Sequence, residues 1–155
     1  MSIDALEEYG LEQMNETEIG NFLTAQGVGI LGLPNEPVPY LLPMSYGFDG
    51  DRQLYFTYFV GPGSRKDSLS DRADAASFLV YRADSAFSWE SVLLEGQIEA
   101  LSPSEWEALG DATDGGWRPE LFTAGSTEGN VSFYEFTIDA QTGVKHTGLP
   151  PGFER

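Results

Sequence analysis

The apolar residues of this chain fall mostly in short runs that alternate with polar residues, which is the pattern of strands buried on one face. Tyr134, Phe136 and Ile138 show this alternation, and Asp49-Gly50-Asp51 is a hairpin signal between two such runs. Gly96 lies inside another run and predicts a bulge or a kink there. Six strands are predicted, over residues 28–33, 38–48, 52–60, 75–82, 88–101 and 131–138.

Helix signals are fewer, and the predicted helices are short. Capping-box sequences at 15–18 and 102–105 each begin a helix, and the first of these helices ends near Gln26. Ser64 is placed to cap a third helix over residues 65–71. Short connections between the strands imply antiparallel pairing. We therefore predict a mainly β fold, a six-stranded antiparallel barrel whose ends are closed by two or three short helices.

Length and charge narrow the class of protein. At 155 residues the chain is expected to form one domain, 1–155, with an N-terminal arm (1–14) and a C-terminal tail (148–155). The net charge of −17, from 25 acidic side chains against 8 Lys and Arg, argues against nucleic acid and anionic membranes as partners. No membrane span or secretory signal is recognised, so we expect a cytoplasmic protein. So many carboxylates suit concentrated salt and indicate a halophilic source, such as a haloarchaeon.

A pair of cations follows the third predicted strand. Arg65 and Lys66 are adjacent basic residues, and Gly61, Gly63 and Ser64 precede them. Glycines let a backbone approach an anion closely, and a guanidinium, an ammonium and free N–H groups at a helix start suit a phosphate. The alternative is a solvated pair that forms surface salt bridges with nearby aspartates. These residues alone leave both interpretations open.

Two of the predicted strands carry polar side chains beside aromatic ones. Trp89 can stack on a planar ring, and Ser91 can donate a hydrogen bond to a phosphate oxygen. Ser45 and Tyr46 offer further polar groups just after Pro43, which leaves backbone groups free for a ligand. Plain strand packing explains either segment when it is taken by itself.

The sequence predicts neither a catalytic side chain nor a metal site. His146 is the only histidine and has no Asp, Ser or Cys partner at a motif spacing, so we predict a surface position for it. Cysteine is absent, and no spacing of metal-ligating residues suits a metal ion.

The order of these segments is more specific than any one of them. It resembles the pyridoxamine 5′-phosphate oxidase-like family of flavin-binding split barrels, and within it the small branch that includes nitroimidazole-resistance proteins. The resemblance covers most of residues 15–101, and residues 133–139 and 142–145 are similar to the ending of that branch. The segments that carry it are the helix with Glu18, Gly27–Leu31, Pro39–Tyr46, Leu54–Phe56, Gly63–Lys66 and Trp89–Gly96.

The resemblance implies a split β-barrel that binds FMN at the interface of a homodimer. Arg65 and Lys66 would hold the phosphate, and Ser91 and Val92 would contact the FMN from the second subunit. Thr57 stands where many members of the branch carry a histidine, so a proton donor near the flavin is missing. The implied cofactor-binding residues are Met44, Ser45, Tyr46, Thr57, Arg65, Lys66, Trp89, Ser91 and Val92.

The implied function is that of an FMN-dependent oxidoreductase acting on a small molecule, because the flavin itself carries the redox chemistry. Met44, Ser45 and Tyr46 would line the isoalloxazine ring, and the substrate would lie between aromatic residues such as Tyr46, Tyr58 and Trp89. Residues that bind pyridoxamine phosphate in the true oxidase are not recognised, so that activity is not expected. The alternatives are a flavin carrier or sensor without turnover, a reductase that binds the deazaflavin F420, a haem protein, and a dimer without a ligand.

Overall fold

The computed structural model describes residues 10–58, 69–70, 73–102, 104–106, 108 and 132–147. Within these residues the protein is mainly β, as predicted, with eight strands and one helix of 10 residues. Residues 69–70, 104–106 and 108 are also helical. The elements are β1 (Leu11–Gln13), α1 (Glu16–Ala25), β2 (Val28–Leu33), β3 (Tyr40–Ser45), β4 (Gly47–Phe48), β5 (Gln53–Tyr58), β6 (Ala75–Ser85), β7 (Ser88–Leu101) and β8 (Ser132–Thr147).

The strands form one antiparallel sheet in the order β3-β2-β6-β7-β8-β5-β4, and β1 pairs with the end of β8. The longest pairing joins β7 to β8 from Ser88 to Leu101. Contacts between β3 and β5 bring the two ends of the strand order together, so the sheet curls on itself. The predicted antiparallel split barrel is confirmed.

The number of strands differs from the predicted six. The sequence predicts an N-terminal arm over 1–14 and no strand within it, and in the structure Leu11–Gln13 pair with the end of β8 as β1. The predicted strand 38–48 is divided at Tyr46 into β3 and β4. The last strand is predicted to end at Ile138, but β8 continues to Thr147 because its polar second half pairs with the first half of β7.

Tyr46 breaks the strand because it bonds to the end of α1. Its backbone N–H donates to the Gly27 carbonyl (3.0 Å), and its hydroxyl donates to the Leu23 carbonyl (2.7 Å). Burial raises the pKa of the Tyr46 hydroxyl, since the phenolate would be poorly solvated there. The tyrosine therefore ties the helix to the sheet from inside the barrel.

The main core lies between the inner face of the sheet and α1. Leu31, Phe56, Phe78, Leu94 and Phe136 are fully buried in it. The apolar face of α1 closes one end of the core with Ile19, Phe22 and Leu23, as the sequence predicts. Among the described residues, no helix is long and apolar enough to cross a membrane.

A smaller cluster covers the other side of the sheet. The Trp106 and Phe133 rings are stacked with centroids 4.4 Å apart, and Tyr55 packs edge-on against Trp106. The predicted capping box precedes Trp106, because the Glu105 N–H donates to Ser102 Oγ (3.2 Å) and the Ser102 N–H donates to Glu105 Oε1 (3.1 Å). This cap fixes the helical residues that carry Trp106 onto the sheet.

The N-terminus of α1 is held by its predicted capping box and by an ion pair. The Glu18 N–H donates to Asn15 Oδ1 (2.9 Å), and Glu18 in turn accepts from the Asn15 N–H (3.3 Å). Lys145 on β8 bonds to the Glu18 carboxylate and lies 3.7 Å from that of Glu12. The hydrogen bond from Lys145 lowers the pKa of Glu18, and the same bond raises the pKa of Lys145.

The predicted bulge at Gly96 bends the β7–β8 pair. Glu95 pairs with Ala140 and Gly96 with Ile138, so Asp139 is left without a partner on β7. A Cβ atom at Gly96 would collide with the Thr137 carbonyl oxygen. The close approach of the two backbones therefore requires glycine at this position.

Replacing Gly96 by Ala should lower the free energy of unfolding by about 2–3 kcal/mol, because a backbone atom blocks the new methyl group. Gly20 in α1 is the control, since a Cβ there meets nothing within 4 Å. Gly20→Ala should instead raise the free energy of unfolding by about 0.5–1 kcal/mol. Urea unfolding followed by circular dichroism measures both, and equal stability of Gly96→Ala and the wild type would contradict the bulge geometry.

Candidate functional site

The two faces of the sheet have different surroundings. The inner face packs on the main core, whereas the opposite side, here called the outer face, presents large apolar side chains to solvent. Val28, Leu41, Tyr81 and Leu93 lie on it and are between 41% and 66% exposed. A surface of this kind marks a site of interaction with a ligand or a partner.

Four of the predicted site residues have their side chains on the outer face. They are distributed over three strands, with Ser45 opposite Val28 and Ser91 opposite Tyr81 in the register. Because residues opposite each other share a face, both serines border the exposed apolar side chains. The four residues are Ser45 on β3, Thr57 on β5, and Trp89 and Ser91 on β7.

The other three described candidates point the opposite way. Met44, Tyr46 and Val92 are buried in the main core. The Tyr46 ring packs edge-on against Phe78, with centroids 5.4 Å apart. The prediction that Tyr46 offers its ring to a substrate is therefore wrong, because both the ring and the hydroxyl are used inside the barrel. The backbone atoms of these three residues remain the part that a ligand could reach.

Thr57 is a buried polar residue whose hydroxyl has no hydrogen-bond partner among the described residues. Its exposed fraction is 8%, and it lies opposite Phe133 near the end of β5. A buried hydroxyl without a partner costs about 1–3 kcal/mol, so native proteins rarely keep one without a reason. The residue fits a ligand that accepts or donates a hydrogen bond at this end of the outer face.

Arg65 and Lys66 lie outside the described residues, as does most of the helix predicted over 65–71. Thr57 lies on the last strand before them, and Leu69 and Ser70, which are buried and helical, follow them. The phosphate-binding role of the two cations stays a prediction.

His146 is buried, with an exposed fraction of 8%, so the predicted surface position is wrong. Its Nδ1 lies 2.9 Å from the Phe87 carbonyl oxygen, and its ring contacts the Phe87 and Trp89 rings at centroid distances of 5.7 and 5.9 Å. The error follows from ending the last strand at Ile138. In the structure β8 continues to Thr147, and the register shift at Asp139 places His146 opposite Trp89 on the outer face.

Carboxylates surround the end of the outer face near Thr57. Glu135 lies directly opposite Glu99 on one side and Tyr55 on the other. Burial raises the pKa of Glu135, and Glu99, Glu105 and Asp49 raise it further. Burial also raises the pKa of Tyr55 to about 12, with smaller contributions from Glu135 and Asp49. Among the described residues, no group of three or more His, Cys, Asp or Glu side chains is arranged to hold a metal ion.

The fold agrees with a comparison of the sequence with models of known protein families. The family model described as pyridoxamine 5′-phosphate oxidase matches residues 15–145. The chain belongs to this family. No curated protein matches the sequence as a relative.

Solved structures of low sequence identity share the fold of this family member. An FAD-binding protein from Mesorhizobium loti is 21% identical, with a TM-score of 0.65 and coverage of 89% of this chain and 98% of the other. A candidate 5-nitroimidazole antibiotic resistance protein from Bacteroides thetaiotaomicron is 17% identical, with a TM-score of 0.63 and coverage of 88% and 89%. The flavocytochrome Anf3 from Azotobacter vinelandii is 20% identical, with a TM-score of 0.65 and coverage of 94% and 73%.

Replacing Glu135 by Gln should raise the free energy of unfolding at pH 7 by up to about 1 kcal/mol, because it removes a carboxylate that faces like charges. The folded protein binds the Glu135 proton more tightly than the unfolded chain. The stability from that proton is therefore complete below the ordinary pKa of 4.5 and is lost as the pH rises through the raised folded value.

The gain in Glu135→Gln should consequently be present at pH 7 and absent near pH 4, as urea unfolding at the two pH values can measure. Glu90 is the control, because it lies opposite Arg82 and Lys145 in the register. Glu90→Gln should give no gain. A variant at Glu135 that is no more stable than the wild type at pH 7 would show that the repulsion is negligible.

Proposed function

We propose that this protein is a cytoplasmic FMN-dependent oxidoreductase that acts on a small-molecule substrate. Its membership of the pyridoxamine 5′-phosphate oxidase family supports a flavin as the ligand. Proteins of the same fold that are named for FAD binding, from Mesorhizobium loti and Mycobacterium smegmatis, support the same class of ligand.

The observation that carries the proposal is the Thr57 hydroxyl, which is buried and has no hydrogen-bond partner in the described part of the chain. It is enclosed on the outer face, two residues before the segment 59–68 that contains Arg65 and Lys66. A bound flavin mononucleotide would supply the missing partner and would place its phosphate near the two cations. The polar group that is costly in the free protein would then contribute to binding.

Each of the other outer-face residues has a role that its chemistry allows. Ser45 and Ser91 donate or accept hydrogen bonds at the edge of the flavin, and Trp89 provides a flat apolar surface for a ring. The exposed apolar side chains around them exclude water from the bound ring. The flavin supplies hydride or electron transfer when it is bound, so no side chain is required to act as a nucleophile.

The proposed site is completed by a second copy of the chain. Thr57 on β5 lies opposite Phe133 on β8, and Phe133 lies opposite Leu101 at the end of β7. Ser91 lies ten residues before Leu101 on β7 and is therefore far from Thr57 in the same chain. Ten strand residues correspond to about 33 Å of backbone. A flavin that contacts Thr57 of one subunit therefore meets Ser91 and the backbone of Val92 more readily from the other. The exposed apolar side chains of the outer face supply the surface for such a dimer.

Sedimentation measures whether the protein is a dimer, and molar KCl is the suitable solvent because the chain is so acidic. A monomer under these conditions would contradict the two-chain site.

A flavin carrier or sensor is the second candidate. The observation that favours it is Thr57 itself, because a hydroxyl cannot exchange a proton near neutral pH as a histidine would. Bound flavin that neither NADH nor NADPH reduces would favour this candidate over the oxidoreductase.

Replacing Arg65 and Lys66 together by Gln should weaken FMN binding by about 100-fold or more, because two charge-assisted hydrogen bonds are lost. Binding of riboflavin, which has no phosphate, should change little. Arg82→Gln is the control, since Arg82 pairs with Asp84 on the surface (3.3 Å). Quenching of flavin fluorescence measures the affinities.

Mass analysis of the ligand released from the purified protein distinguishes FMN from FAD and from a deazaflavin. A protein that is colourless and stays so after FMN is added would overturn the proposed function.

Replacing Thr57 by Val should weaken FMN binding about tenfold, because the hydroxyl no longer bonds to the ligand. The flavin-free variant should be at least as stable as the wild type, since the hydroxyl bonds to none of the residues that the structure describes. Thr137→Val is the matched control, because Thr137 Oγ1 donates to Gln53 Oε1 (3.0 Å). That control should lose about 1 kcal/mol of stability and keep its FMN affinity. Loss of stability without loss of affinity in Thr57→Val would assign Thr57 a structural role.

A further inference from the structure

One row of residues crosses the outer face from β3 to β8. Leu41, Gly32, Ser77, Glu95 and Ala140 are successive partners in the register of β3, β2, β6, β7 and β8. Residues opposite each other share a face, so all five lie on the same side of the sheet as the exposed Leu41. Between Leu41 and Glu95 the row contains only a glycine and a serine, and its middle is therefore low.

A trough of about 560 Å³ lies along this row. All five residues of the row line it, together with Pro34 and Pro39 from the turn between β2 and β3 and Ala75 at the start of β6. This volume is within the range of small-molecule sites, and a mostly apolar lining with a few polar groups is typical of them. None of the residues predicted to bind the flavin is among the described residues of the lining. The proposed function therefore assigns no role to this space.

The trough carries negative charge on its β7–β8 side. Glu95 belongs to the row, and Asp139 lies beside Ala140 at the bulge, where it has no partner on β7. Asp139 accepts a hydrogen bond from Gln97 Nε2 (3.4 Å), and no described Lys or Arg forms an ion pair with either carboxylate. The part of the lining that the structure describes contains no basic residue. A ligand in the trough therefore meets two carboxylates that lack a cation.

A polar cavity of about 210 Å³ near the start of β7 has a different charge pattern. Arg82 and Lys145 line it beside its carboxylates, and both cations are paired: Arg82 lies 3.3 Å from Asp84, and Lys145 bonds to Glu18. Carboxylates without a cation are therefore not a general property of the cavities of this acidic chain. Charge complementarity favours a cationic ligand in the trough.

We propose that the trough binds a small organic cation with an apolar body, such as a primary amine that carries a hydrocarbon ring. The apolar body lies over Gly32 and Ser77 beside Leu41, and the ammonium group faces Glu95 and Asp139. Removal of apolar surface from water supplies affinity, and the two carboxylates select the charge. This inference goes beyond the proposed function and does not depend on a bound flavin.

Three substitutions separate the apolar and the charged contributions. Ser77→Leu fills the floor of the trough with an apolar side chain. Glu95→Gln removes one carboxylate and keeps the size of the side chain. Glu90→Gln is the matched control, because it removes the same charge outside the trough, at a residue that lies opposite Arg82 and Lys145.

The probes are benzylamine and benzyl alcohol, which have the same apolar ring and differ in the charge of one group. Each is titrated against the purified protein in molar KCl, because salt screens the general attraction of so acidic a chain for cations. Backbone amide shifts in NMR spectra report both the affinity and the position of the probe. Circular dichroism and the urea midpoint verify that each variant is folded.

We expect benzylamine to bind the wild type more tightly than benzyl alcohol does, and to shift the amides of Gly32, Ser77 and Ala140. Glu95→Gln should raise the benzylamine Kd about fivefold and leave that of benzyl alcohol unchanged, whereas Glu90→Gln should change neither. Ser77→Leu should weaken the binding of both probes about tenfold or more, because the space for the ring is filled.

Equal binding of the two probes to the wild type would overturn the proposal. Equal losses of benzylamine affinity in Glu95→Gln and Glu90→Gln would also overturn it, since the attraction would then belong to the charge of the whole chain. A trough that binds neither probe in the wild type, with a dimer that dissociates in Ser77→Leu, would assign the space to a second copy of the chain. Competition between FMN and benzylamine would assign it to the flavin, and either assignment would replace the proposed one.

Discussion

The pairing of β7 with β8 is the constraint on which the rest of the structure depends. One edge of β8 pairs with β7 over nearly the whole length of the strand, and the other edge of β8 pairs with two different strands. Residues 132–137 pair with β5, and residues 144–146 pair with β1. The bulge at Gly96 and Asp139 lies between these two halves. The bend therefore allows one strand to close the barrel through β5 and to hold the N-terminal segment through β1.

The same pairing distributes the chemistry of the outer face between its two ends. Thr57 and the carboxylates around Glu135 lie at one end, and Trp89 and His146 lie at the other. A strand is too stiff and too long for one chain to bring both ends to a single ring. The proposed twofold dimer would remove this difficulty, because it would place one end of each chain beside the opposite end of its partner. The partner would then also cover the apolar side chains between the two ends.

Local signals in the sequence were sufficient for most of the fold. Both capping boxes, the hairpin at Asp49–Asp51 and the bulge at Gly96 depend on short stretches of chain, and the structure contains all of them. Local signals do not predict the second half of β8, because its polar residues form a strand only through pairing with a distant segment. The burial of Tyr46 depends likewise on Leu23 in α1, a contact that no local pattern reveals.

The pairing of β7 with β8 and the contact between Tyr46 and Leu23 limit how much of the site can be predicted from the sequence. The sequence identifies residue types that suit a flavin, and period-two alternation already separates Ser45 and Ser91 from their buried neighbours Met44 and Val92. It does not place His146 against Trp89, since that requires the register of β7 on β8. Candidate residues taken from a motif therefore need the strand register before their side chains can be assigned to a ligand.

The charge distribution of the chain supports the proposed position of the phosphate. The chain carries 25 carboxylates and 8 Lys and Arg residues, so a phosphate dianion is repelled over most of the surface. The cations that the structure describes are engaged elsewhere: Arg52 donates to the Ile138 carbonyl (3.0 Å), Arg82 pairs with Asp84, and Lys145 pairs with Glu12 and Glu18. Arg65 and Lys66 are adjacent cations in a glycine-containing segment that begins just after Thr57 and Tyr58. This contrast supports the proposed position of the flavin phosphate at Arg65 and Lys66, where the same ligand would also reach the enclosed hydroxyl of Thr57.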